Sequence, residues 1–536
     1  MPVNLHHSDL APDGPVTTET WLGAPALSYP RRPPSVARVL DRAVARWPHA
    51  PAVRDASGEV SHAGLANRVA ATVTALHGAG LRRGDAVAVV AANSIDHLVL
   101  VLACARGGFV VSGFDLKLAP ARWDELLAIT GARLALADPA RITVLRGCID
   151  SGGVDSGGAG DVAVLPLREL TAAGSVTWAA LDAPWPGEHE HFQVVHTSGS
   201  TGRSKASRVV HRCSVHSAMS YQRVLQLQPG ECSAVLFHLG YISALHAHVL
   251  PAMLAGGCSV LLDSVSPRSY LPELAGHRVA WAYAVPAWWQ AALREPGLSA
   301  AALPSLRLLG AGGATFGAEL ERRLRERLPG TELLNVYGLS ETHSPATILR
   351  DAEFAARPGS VGRPLPCMEV SVRSPDGAEL PAGAAGEVWL RGSLVSTGYD
   401  GMPEATAEAI VDGWFRTGDV GRVDAEGYLW VLDRVKDMIN RGGRKVYSVD
   451  VEEVLRTHPA IADAAVVAAP DPRTGETVAA FLVLAPGARI ERADVRRHVR
   501  EGLAEWAAPS VVEVVEELPR NSTGKTDKPA LRARLR

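Results

Sequence analysis

Apolar side chains recur at helical spacing near the start of the chain. From Ser35 onward they predict an amphipathic helix, and a second helical run ends at the stop signals Gly78 and Gly80. The apolar positions of these two helices are Val36, Val39, Leu40, Ala43, Val44 and Trp47, and then Leu65, Val69, Val73 and Leu76. Residues 1–34, in contrast, contain seven prolines and no periodicity, so they predict an extended arm.

Short apolar runs of strand length follow, separated by helical patterns. The predicted strands are 86–91, 109–111, 134–137, 194–195, 258–262, 281–285 and 306–309, and a largely apolar helix is predicted over 95–105. Strands that alternate with helices form parallel sheets covered on both faces, and such sheets bind ligands at the carboxyl ends of their strands. From about Val361 short alternating runs broken by Gly and Pro predict a small antiparallel β subdomain.

The length of 536 residues is too great for one ordinary core. We predict an α/β fold whose large N-terminal domain, residues 1–433, holds layered, mostly parallel sheets and the small β subdomain. Residues 434–536 carry their own strand and helix signals, which predict a small α+β C-terminal domain; that this domain is mobile is implied by the resemblance described below.

Composition excludes several classes of protein. The net charge of −3 gives no general attraction to nucleic acid or anionic lipid. The six cysteines are scattered without a C-x-x-C pair, which indicates buried thiols in a reducing compartment. The first residues lack the pattern of a signal peptide, and no apolar run approaches the roughly 20 residues of a membrane span. We therefore expect a cytoplasmic protein.

One loop carries a composition suited to phosphate. Residues 194–205 read VVHTSGSTGRSK, so an apolar strand ends in hydroxyls, glycines and a lysine. Such a loop offers backbone N–H groups, hydroxyls and a cation to a polyphosphate. No Walker A pattern can be written across it, and a flexible Ser/Gly linker is the alternative. The candidate phosphate ligands are Thr197, Ser198, Gly199, Ser200, Thr201, Gly202 and Lys205.

Further segments, in order, make the chain resemble the adenylate-forming superfamily of acyl-CoA synthetases, peptide-synthetase adenylation domains and luciferases. The resemblance covers roughly residues 35–531. Besides the loop at 197–205, the similar segments are Phe237-His238, Asn335-Val336-Tyr337-Gly338-Leu339-Ser340-Glu341, Gly413-Trp414-Phe415-Arg416-Thr417-Gly418-Asp419, Asp433-Arg434-Val435-Lys436-Asp437 with Gly442-Gly443, and Pro519-Arg520-Asn521-Ser522-Thr523-Gly524-Lys525.

The resemblance implies a reaction in two steps. A carboxylate attacks the α-phosphate of ATP to give an acyl-adenylate and pyrophosphate, and coenzyme A then takes the acyl group. By resemblance, Lys525 is the catalytic lysine, Glu341 binds Mg²⁺, Asp419 binds the ribose and Tyr337 stacks near adenine. The implied nucleotide site comprises the phosphate loop with Gly313, Ala314, Asn335, Val336, Tyr337, Gly338, Ser340, Asp419 and Arg434, and the implied catalytic set comprises Lys525, Glu341, His238 and Lys205.

The resemblance also implies an acyl pocket, a hinge and a thiol side. The pocket would include His238, Gly240, Tyr241, Ala311 and Gly312, where small residues leave room for a ring or a modest acyl chain. Residues 237–241 offer no carboxylate to an ammonium, which argues against amino acids and favours an aryl or small aliphatic acid. A purely structural role for the histidine stays open.

Lys436 would be the hinge of the small domain, and Gly442 and Gly443 would face the thiol. An ordinary turn is the alternative for the two glycines. His246 and His248 are interpreted as surface or pocket-lining residues.

Departures from the superfamily pattern weaken the prediction of the second step more than the prediction of the first. Ser204, Ala206 and Ser340 replace the usual proline, glycine and threonine, and none removes a phosphate donor. Asp433 replaces a common glycine, while Ser448 and Asp450 replace a usual proline and glutamate. The acceptor thus stays open between coenzyme A, a carrier-protein phosphopantetheine and another nucleophile.

Two more hypotheses for the function stay open, an unusual oxyanion substrate and a non-catalytic nucleotide-binding protein. The presence of Lys525, Glu341 and Asp419 together counts against the second of these, because such a protein needs none of the three together.

Overall fold

The computed structural model describes residues 16–116, 118, 120–150, 162–172, 174, 176–198, 204–262, 266–520 and 525–535. The predicted loop residues Gly199, Ser200, Thr201 and Gly202 lie outside these ranges. In the described ranges the helices are α1 (Val36–Arg46), α2 (His62–Gly78), α3 (Ile95–Gly107), α4 (Pro120–Thr130), α5 (Pro139–Asp150), α6 (Leu167–Thr171), α7 (His211–Leu225), α8 (Leu250–Ala255), α9 (Pro267–Gly276), α10 (Pro286–Ala292), α11 (Ala318–Arg327), α12 (Pro403–Ala409), α13 (Ser448–Arg456), α14 (Arg492–Gly502) and α15 (Lys528–Ala533).

The strands lie between and after these helices. They are β1 (Thr17–Trp21), β2 (Ala24–Ser28), β3 (Pro51–Asp55), β4 (Gly58–Ser61), β5 (Ala86–Val90), β6 (Val110–Gly113), β7 (Leu134–Ala137), β8 (Ala163–Pro166), β9 (His191–Ser198), β10 (Ser204–Val210), β11 (Cys232–Val235), β12 (Cys258–Leu261), β13 (Val279–Ala284), β14 (Leu308–Gly312), β15 (Glu332–Tyr337), β16 (Thr347–Arg350), β17 (Arg363–Pro364), β18 (Met368–Arg373), β19 (Gly386–Gly392), β20 (Ile410–Val411), β21 (Trp414–Val423), β22 (Leu429–Arg434), β23 (Ile439–Arg441), β24 (Arg444–Val446), β25 (Ile461–Asp471), β26 (Gly475–Leu484) and β27 (Val511–Val514).

Two large sheets with parallel centres form the main body. One has the order β10-β9-β6-β5-β7-β8, and the other has the order β17-β16-β15-β14-β13-β11-β12-β3-β4. Strands β5 to β8 pair in parallel, as do β11 to β15 and β3, whereas β10, β16, β17 and β4 pair antiparallel at the other edges. The predicted α/β class with layered, mostly parallel sheets is confirmed.

Helix α3 explains why the predicted apolar helix has almost no polar face. Residues Leu98 to Ala105 are at most 1% exposed, so neighbouring elements cover the helix on every side. Ser94 caps its start by accepting from the N–H of His97, and Gly108 ends it in the left-handed conformation at φ +77°. The helix belongs to a core that includes residues from both large sheets.

Two smaller sheets follow in the chain. An antiparallel sheet contains β18, β19, β20, β21 and β22, in the region where the sequence predicts a small β subdomain. The last sheet contains β23 to β27 and, with α13 and α14, encloses its own apolar core. Residues 435–438 connect the two sheets and contain Lys436. The domain boundary after residue 433 stays a prediction.

The N-terminal arm is more regular than predicted. Strands β1 and β2 form a hairpin, and Nε1 of Trp21 donates to the carbonyl of Val395 over 2.9 Å. The predicted extended arm is, over residues 17–28, a paired hairpin that tertiary contacts stabilise and that local periodicity does not show. Among the described helices, none has the length and apolar character needed to cross a membrane.

Candidate active site

A buried carboxylate lies where the small β sheet meets the end of β15. Asp419 is 3% exposed, and its Oδ1 forms an ion pair with Nε of Arg434 at 2.6 Å. Its Oδ2 accepts from the hydroxyl of Tyr337 over 2.6 Å. Burial raises the pKa of Asp419, while Arg434, Tyr337 and Lys525 oppose the rise. The two contacts hold the carboxylate in place.

Strand register places this group, which we call the nucleotide cluster (Tyr337, Asp419 and Arg434). Asp419 of β21 lies directly opposite Arg434 of β22 in the antiparallel ladder, so their side chains project to the same face. Tyr337 is the last residue of β15. The next residue must be glycine, because a Cβ at Gly338 would lie only 1.4 Å from the carbonyl oxygen of Ser344.

Lys525 enters the same cleft from the C-terminal part of the chain. A methyl group built on Gly313 would lie 3.4 Å from its Cε and 3.7 Å from its Nζ. Lys525 is accessible to solvent, as are Gly313 and Ala314. The surrounding protein and Arg434 lower the pKa of Lys525, whereas Asp419 and Glu341 act in the opposite direction. The lysine thus lies in an open cleft among the charged groups predicted for catalysis.

Glu341 belongs to a second group near the cleft. It lies in the 3₁₀ turn Ser340–Thr342, is 8% exposed, and its Oε1 accepts from the hydroxyl of Tyr399 over 2.8 Å. Nζ of Lys205 lies 4.7 Å from the centre of the Tyr399 ring. Burial and the charge of Glu341 raise the pKa of Tyr399. Tyr399 therefore connects the predicted metal carboxylate with the predicted phosphate lysine, and the sequence reasoning missed it.

The segment around Tyr399 is attached to the strand that carries Lys205. The N–H of Arg208 donates to the carbonyl of Gly398 over 3.1 Å, and the N–H of Asp400 donates to that of Ala206 over 2.7 Å. Arg208 and Asp400 also form an ion pair at 2.9 Å. The one signal in the sequence was a polar turn, Ser-Thr-Gly-Tyr-Asp at 396–400, that contains a single aromatic ring.

The predicted phosphate loop lies in the chain between β9 and β10, which pair antiparallel. Strand β9 pairs in parallel with β6, and β10 returns antiparallel at the edge of the sheet. Thr197 and Ser198 end β9, and Lys205 of β10 lies opposite Thr197. Both termini of the loop are thus fixed by the sheet.

His238 uses both ring nitrogens in backbone hydrogen bonds. Its Nε2 donates to the carbonyl of Ala91 over 2.8 Å, and its Nδ1 accepts from the N–H of Gly240 over 3.1 Å. Burial lowers its pKa, so the ring is neutral at ordinary pH. These contacts support the structural alternative that the sequence left open. Its role in catalysis or in admitting a thiol stays a prediction.

The remaining pocket residues near His238 pack closely. A Cβ on Gly240 would lie 2.7 Å from the carbonyl oxygen of Gly113, and one on Gly113 would lie 2.6 Å from Cα of Gly240. The two backbones therefore touch without side chains between them. The hydroxyl of Tyr241 donates to the buried carboxylate of Asp115.

The small residues of β14 make room for aromatic rings. A Cβ on Gly310 would lie 2.4 Å from the Trp281 ring, and one on Gly312 would lie 2.5 Å from the hydroxyl of Tyr283. The neighbouring strand thus fills the space into which side chains at positions 310 and 312 would project, and room for an acyl group along this stretch stays a prediction. Ala311 is fully buried. Phe237 lies 5.2 Å from the Tyr283 ring, so aromatic side chains line this region.

Two further residues predicted for the nucleotide site, Asn335 and Val336, lie in β15. Asn335 is 4% exposed, and its side-chain amide donates to the carbonyl of Ser360 over 2.9 Å. Val336 is buried in the sheet at 3% exposure.

His246 and His248 are fully buried, so the surface interpretation is wrong. They lie in the π-helical turn Ala244–Val249 and contact Ser214 and Ser233, respectively.

The predicted thiol-side glycines form a hairpin turn. Gly442 and Gly443 have φ of +59° and +86°, which only a few residue types adopt, and they join β23 to β24. They are exposed, as is Lys436. This geometry agrees with the simple-turn alternative and does not test a role toward a thiol.

Comparison with known proteins decides the family. The family model described as "AMP-binding enzyme" matches residues 40–400, and the model described as "AMP-binding enzyme C-terminal domain" matches residues 450–525. The chain belongs to the AMP-binding enzyme family. The predicted resemblance to adenylate-forming enzymes is confirmed.

Curated relatives of this AMP-binding enzyme include acid ligases. Feruloyl-CoA synthase, from Amycolatopsis sp and from Streptomyces sp, is 34% identical over 91% of this chain and 96% of the relative. Indoleacetate–CoA ligase of Aromatoleum aromaticum is 30% identical over 92% and 96%. Fatty acid–[acyl-carrier-protein] ligase ScoC of Streptomyces coeruleorubidus is 31% identical over 88% and 90%. The predicted enzyme class, an AMP-forming acid–thiol ligase, is confirmed.

Solved structures agree with the fold. ATP-bound MatB from Rhodopseudomonas palustris superposes with a TM-score of 0.84 at 27% identity, covering 93% of this chain and 98% of that one. The amide bond synthetase McbA from Marinactinospora thermotolerans superposes with a TM-score of 0.84 at 30% identity, covering 93% and 99%.

Proposed function

We propose that this enzyme adenylates a small, preferably aromatic carboxylic acid with ATP and passes the acyl group to coenzyme A. The observation that carries the proposal is the position of Lys525. Its side chain lies beside Gly313, and the charges of Asp419, Arg434 and Glu341 are near enough to influence its pKa. A cleft that gathers these charges from distant parts of the chain suits the meeting of two anions.

The nucleotide cluster would hold the AMP part of the substrate. Asp419 would accept from the two ribose hydroxyls with the acceptor positions that Tyr337 and Arg434 leave available. The exposed Gly313 and Ala314, together with Asn335, would lie around the base.

The phosphate end would lie between Lys205 and Glu341. Residues 197–202 and Lys205 would bind the β- and γ-phosphates. Among the described residues, no group of three or more His, Cys, Asp or Glu side chains could hold a metal ion. Mg²⁺ typically binds through one or two carboxylates, phosphate oxygens and water, so the single carboxylate of Glu341 fits that ion. The ion would neutralise phosphate charge when bound.

In the first step, a carboxylate oxygen of the acid forms a bond to the α-phosphorus. The bond from that phosphorus to the bridging oxygen breaks, and pyrophosphate leaves with the electron pair. Lys525 would donate to the oxygens on which negative charge accumulates. In the second step the coenzyme A thiol loses its proton to solvent and its sulfur bonds to the acyl carbon, while the bond from that carbon to the AMP oxygen breaks and AMP leaves with the electron pair.

An aromatic acid is supported by the side chains near the predicted pocket. Phe237 is partly exposed and packs against the buried Tyr283 ring, so its own ring is placed to make edge or offset contacts with another ring. The names of the relatives also include two aromatic acids, ferulate and indoleacetate.

The second half-reaction would use the C-terminal domain, residues 434–536. We assign Lys436 as its hinge and Gly442 and Gly443 as its thiol side. The carrier-protein ligase among the relatives favours phosphopantetheine on a carrier protein as the second candidate acceptor.

The test is acid-dependent exchange of pyrophosphate into ATP across aryl, short-chain and long-chain acids, with amino acids as a control class. Thioester is followed separately with coenzyme A and with a phosphopantetheinylated carrier protein. We expect exchange with aryl acids and thioester with coenzyme A. Exchange restricted to long-chain acids, or thioester only on the carrier protein, would overturn the respective assignment, and no exchange with any acid would overturn adenylation.

A further inference from the structure

Two positions that depart from the superfamily pattern are in direct contact. Oδ2 of Asp433 accepts from the backbone N–H of Ser448 over 2.5 Å, and its Oδ1 accepts from the Ser448 hydroxyl over 3.0 Å. Asp433 is 3% exposed and Ser448 is fully buried. The glycine common at 433 has no carboxylate, and the proline usual at 448 has no N–H, so neither could form this contact.

The contact starts on the strand that also supports the nucleotide cluster. Arg434 of β22 pairs with Asp419. Successive side chains of a strand point to opposite faces, so Asp433 is directed away from Asp419 and reaches the first residue of α13. The end of β22 therefore connects the nucleotide cluster to the C-terminal sheet and its helices.

Ser448 is also contacted by Lys528, which lies close to Lys525 in the chain. Nζ of Lys528 donates to Oγ of Ser448 over 2.6 Å and pairs with Oε1 of Glu452 at 2.9 Å. The Lys528 and Glu452 side chains are only 14% and 10% exposed. Lys528 is the first residue of α15 and follows Lys525 by three positions. The location of Lys525 thus depends, through α15, on what Ser448 contacts.

The Asp433–Ser448 hydrogen bonds cross the hinge that we assign to Lys436. Asp433 precedes that residue, whereas Ser448, Glu452 and Lys528 follow it. A rotation about the hinge would break the bonds to Asp433 and leave the Ser448–Lys528–Glu452 contacts intact. The contact to Asp433 would then exist in one arrangement of the domains and be absent in the other.

We propose that Asp433 and Ser448 form a latch that positions Lys525 for adenylation and opposes the move to the thioester step. The proposal rests on the proposed function and refines it. Both are positioning residues, because they act on the reaction through Lys528 and the hinge. Buried hydrogen bonds to a carboxylate are strong enough to shift such an equilibrium about tenfold.

Ser448→Pro removes both donors to Asp433 and also the hydroxyl that accepts from Lys528. Ser448 is the first residue of α13, a position that favours proline, and Tyr447 before it has φ −82° and ψ 122°, which a following proline accepts. The helix should therefore form while both donors to Asp433 are lost. Asp433→Ala removes the acceptor, and Ser448→Ala is the matched control that keeps the N–H.

Each half-reaction is measured alone, adenylation by pyrophosphate exchange and thioester formation by single turnover from preformed acyl-adenylate. We expect Ser448→Pro and Asp433→Ala to slow adenylation about tenfold without slowing thioester formation, and Ser448→Ala to have a smaller effect. The double variant should be no slower than Ser448→Pro alone, because Asp433→Ala removes only contacts that Ser448→Pro has already lost. An equal loss in both half-reactions, or unchanged adenylation, would overturn the latch.

A spin-label experiment tests the latch without any turnover. The six native cysteines are buried, so nitroxides can be placed on Arg323→Cys of α11 and Ala493→Cys of α14, which are both exposed. We expect one main distance in the parent enzyme and a second population in Ser448→Pro and Asp433→Ala. Identical distance distributions would overturn the latch, whereas a parent enzyme inactive with every acid would overturn the proposed function instead.

Discussion

The nucleotide cluster and Lys525 share one cleft but are held there in different ways. Asp419 and Arg434 face each other in a β ladder, and Tyr337 ends a strand of the nine-stranded sheet, so regular sheet backbone fixes the position of all three residues. Lys525 comes from a short segment whose position depends on side-chain contacts at Lys528 and Ser448. A ladder can be broken only by local unfolding, whereas a few side-chain contacts can exchange.

This difference matches the two tasks of the proposed reaction. The nucleotide must stay bound through both steps, so a rigid binding group is useful. The lysine is needed in the first step, and its place must later be free for a thiol. We therefore expect substitutions in the two regions to affect different measured quantities.

The largest effect is expected for Lys525→Ala. Loss of the ammonium should slow acyl-adenylate formation at least about 100-fold, because a charge directed at the transition state is removed. ATP affinity, measured by calorimetry, should change little, since the nucleotide cluster is intact. Arg489→Ala removes an exposed cation from the same domain and should leave adenylation unchanged. A large loss of ATP affinity in Lys525→Ala would contradict the separation of the two regions.

A smaller and different effect is expected for Asp419→Asn. The amide keeps the shape but weakens the contacts with Arg434 and the ribose, so ATP affinity should fall about tenfold. The free energy of unfolding should also fall, by about 1–2 kcal/mol, because a buried charge-assisted contact is lost and Arg434 is half-exposed. Chemical denaturation and calorimetry measure the two quantities. If ATP affinity fell while the free energy of unfolding stayed unchanged, Asp419 would contribute to binding and not to the stability of the fold.

The smallest effect is a change in pH dependence. Surrounding protein and Arg434 lower the pKa of Lys525 below its ordinary 10.5, so the lysine loses its charge at lower pH than a free lysine. Adenylation should therefore decline as pH rises, with a midpoint below 10.5. Lys525→Arg stays protonated and should lose this decline in whatever activity remains. The same midpoint in both proteins would assign the decline to another group.

The fold could be predicted well where local pattern and burial agree. Strand β7 and helix α3 lie where the sequence places them, because their apolar runs are covered on both faces. The N-terminal hairpin could not be predicted, since Trp21 is anchored by the carbonyl of Val395 far along the chain. For the same reason the sequence did not show that Tyr283 and Trp281 of the neighbouring strand pack against Gly312 and Gly310.

The sequence by itself determined which residue types the chain brings to its chemistry. The order of the motifs identified the superfamily, and Lys525, Glu341, Asp419 and Tyr337 could be named without coordinates, because charge and hydrogen-bonding capacity belong to the residue. These assignments specify chemical groups and say nothing about their mutual geometry.

Only the tertiary structure decided which groups meet. It placed Tyr399 between Glu341 and Lys205, and it joined Asp433 to Ser448 across the proposed hinge. Such contacts link residues that are distant in the chain, and sheet register and helix packing bring them together through interactions that no local window of sequence contains. The identity of the catalytic groups is therefore local information, and their arrangement is a property of the whole fold.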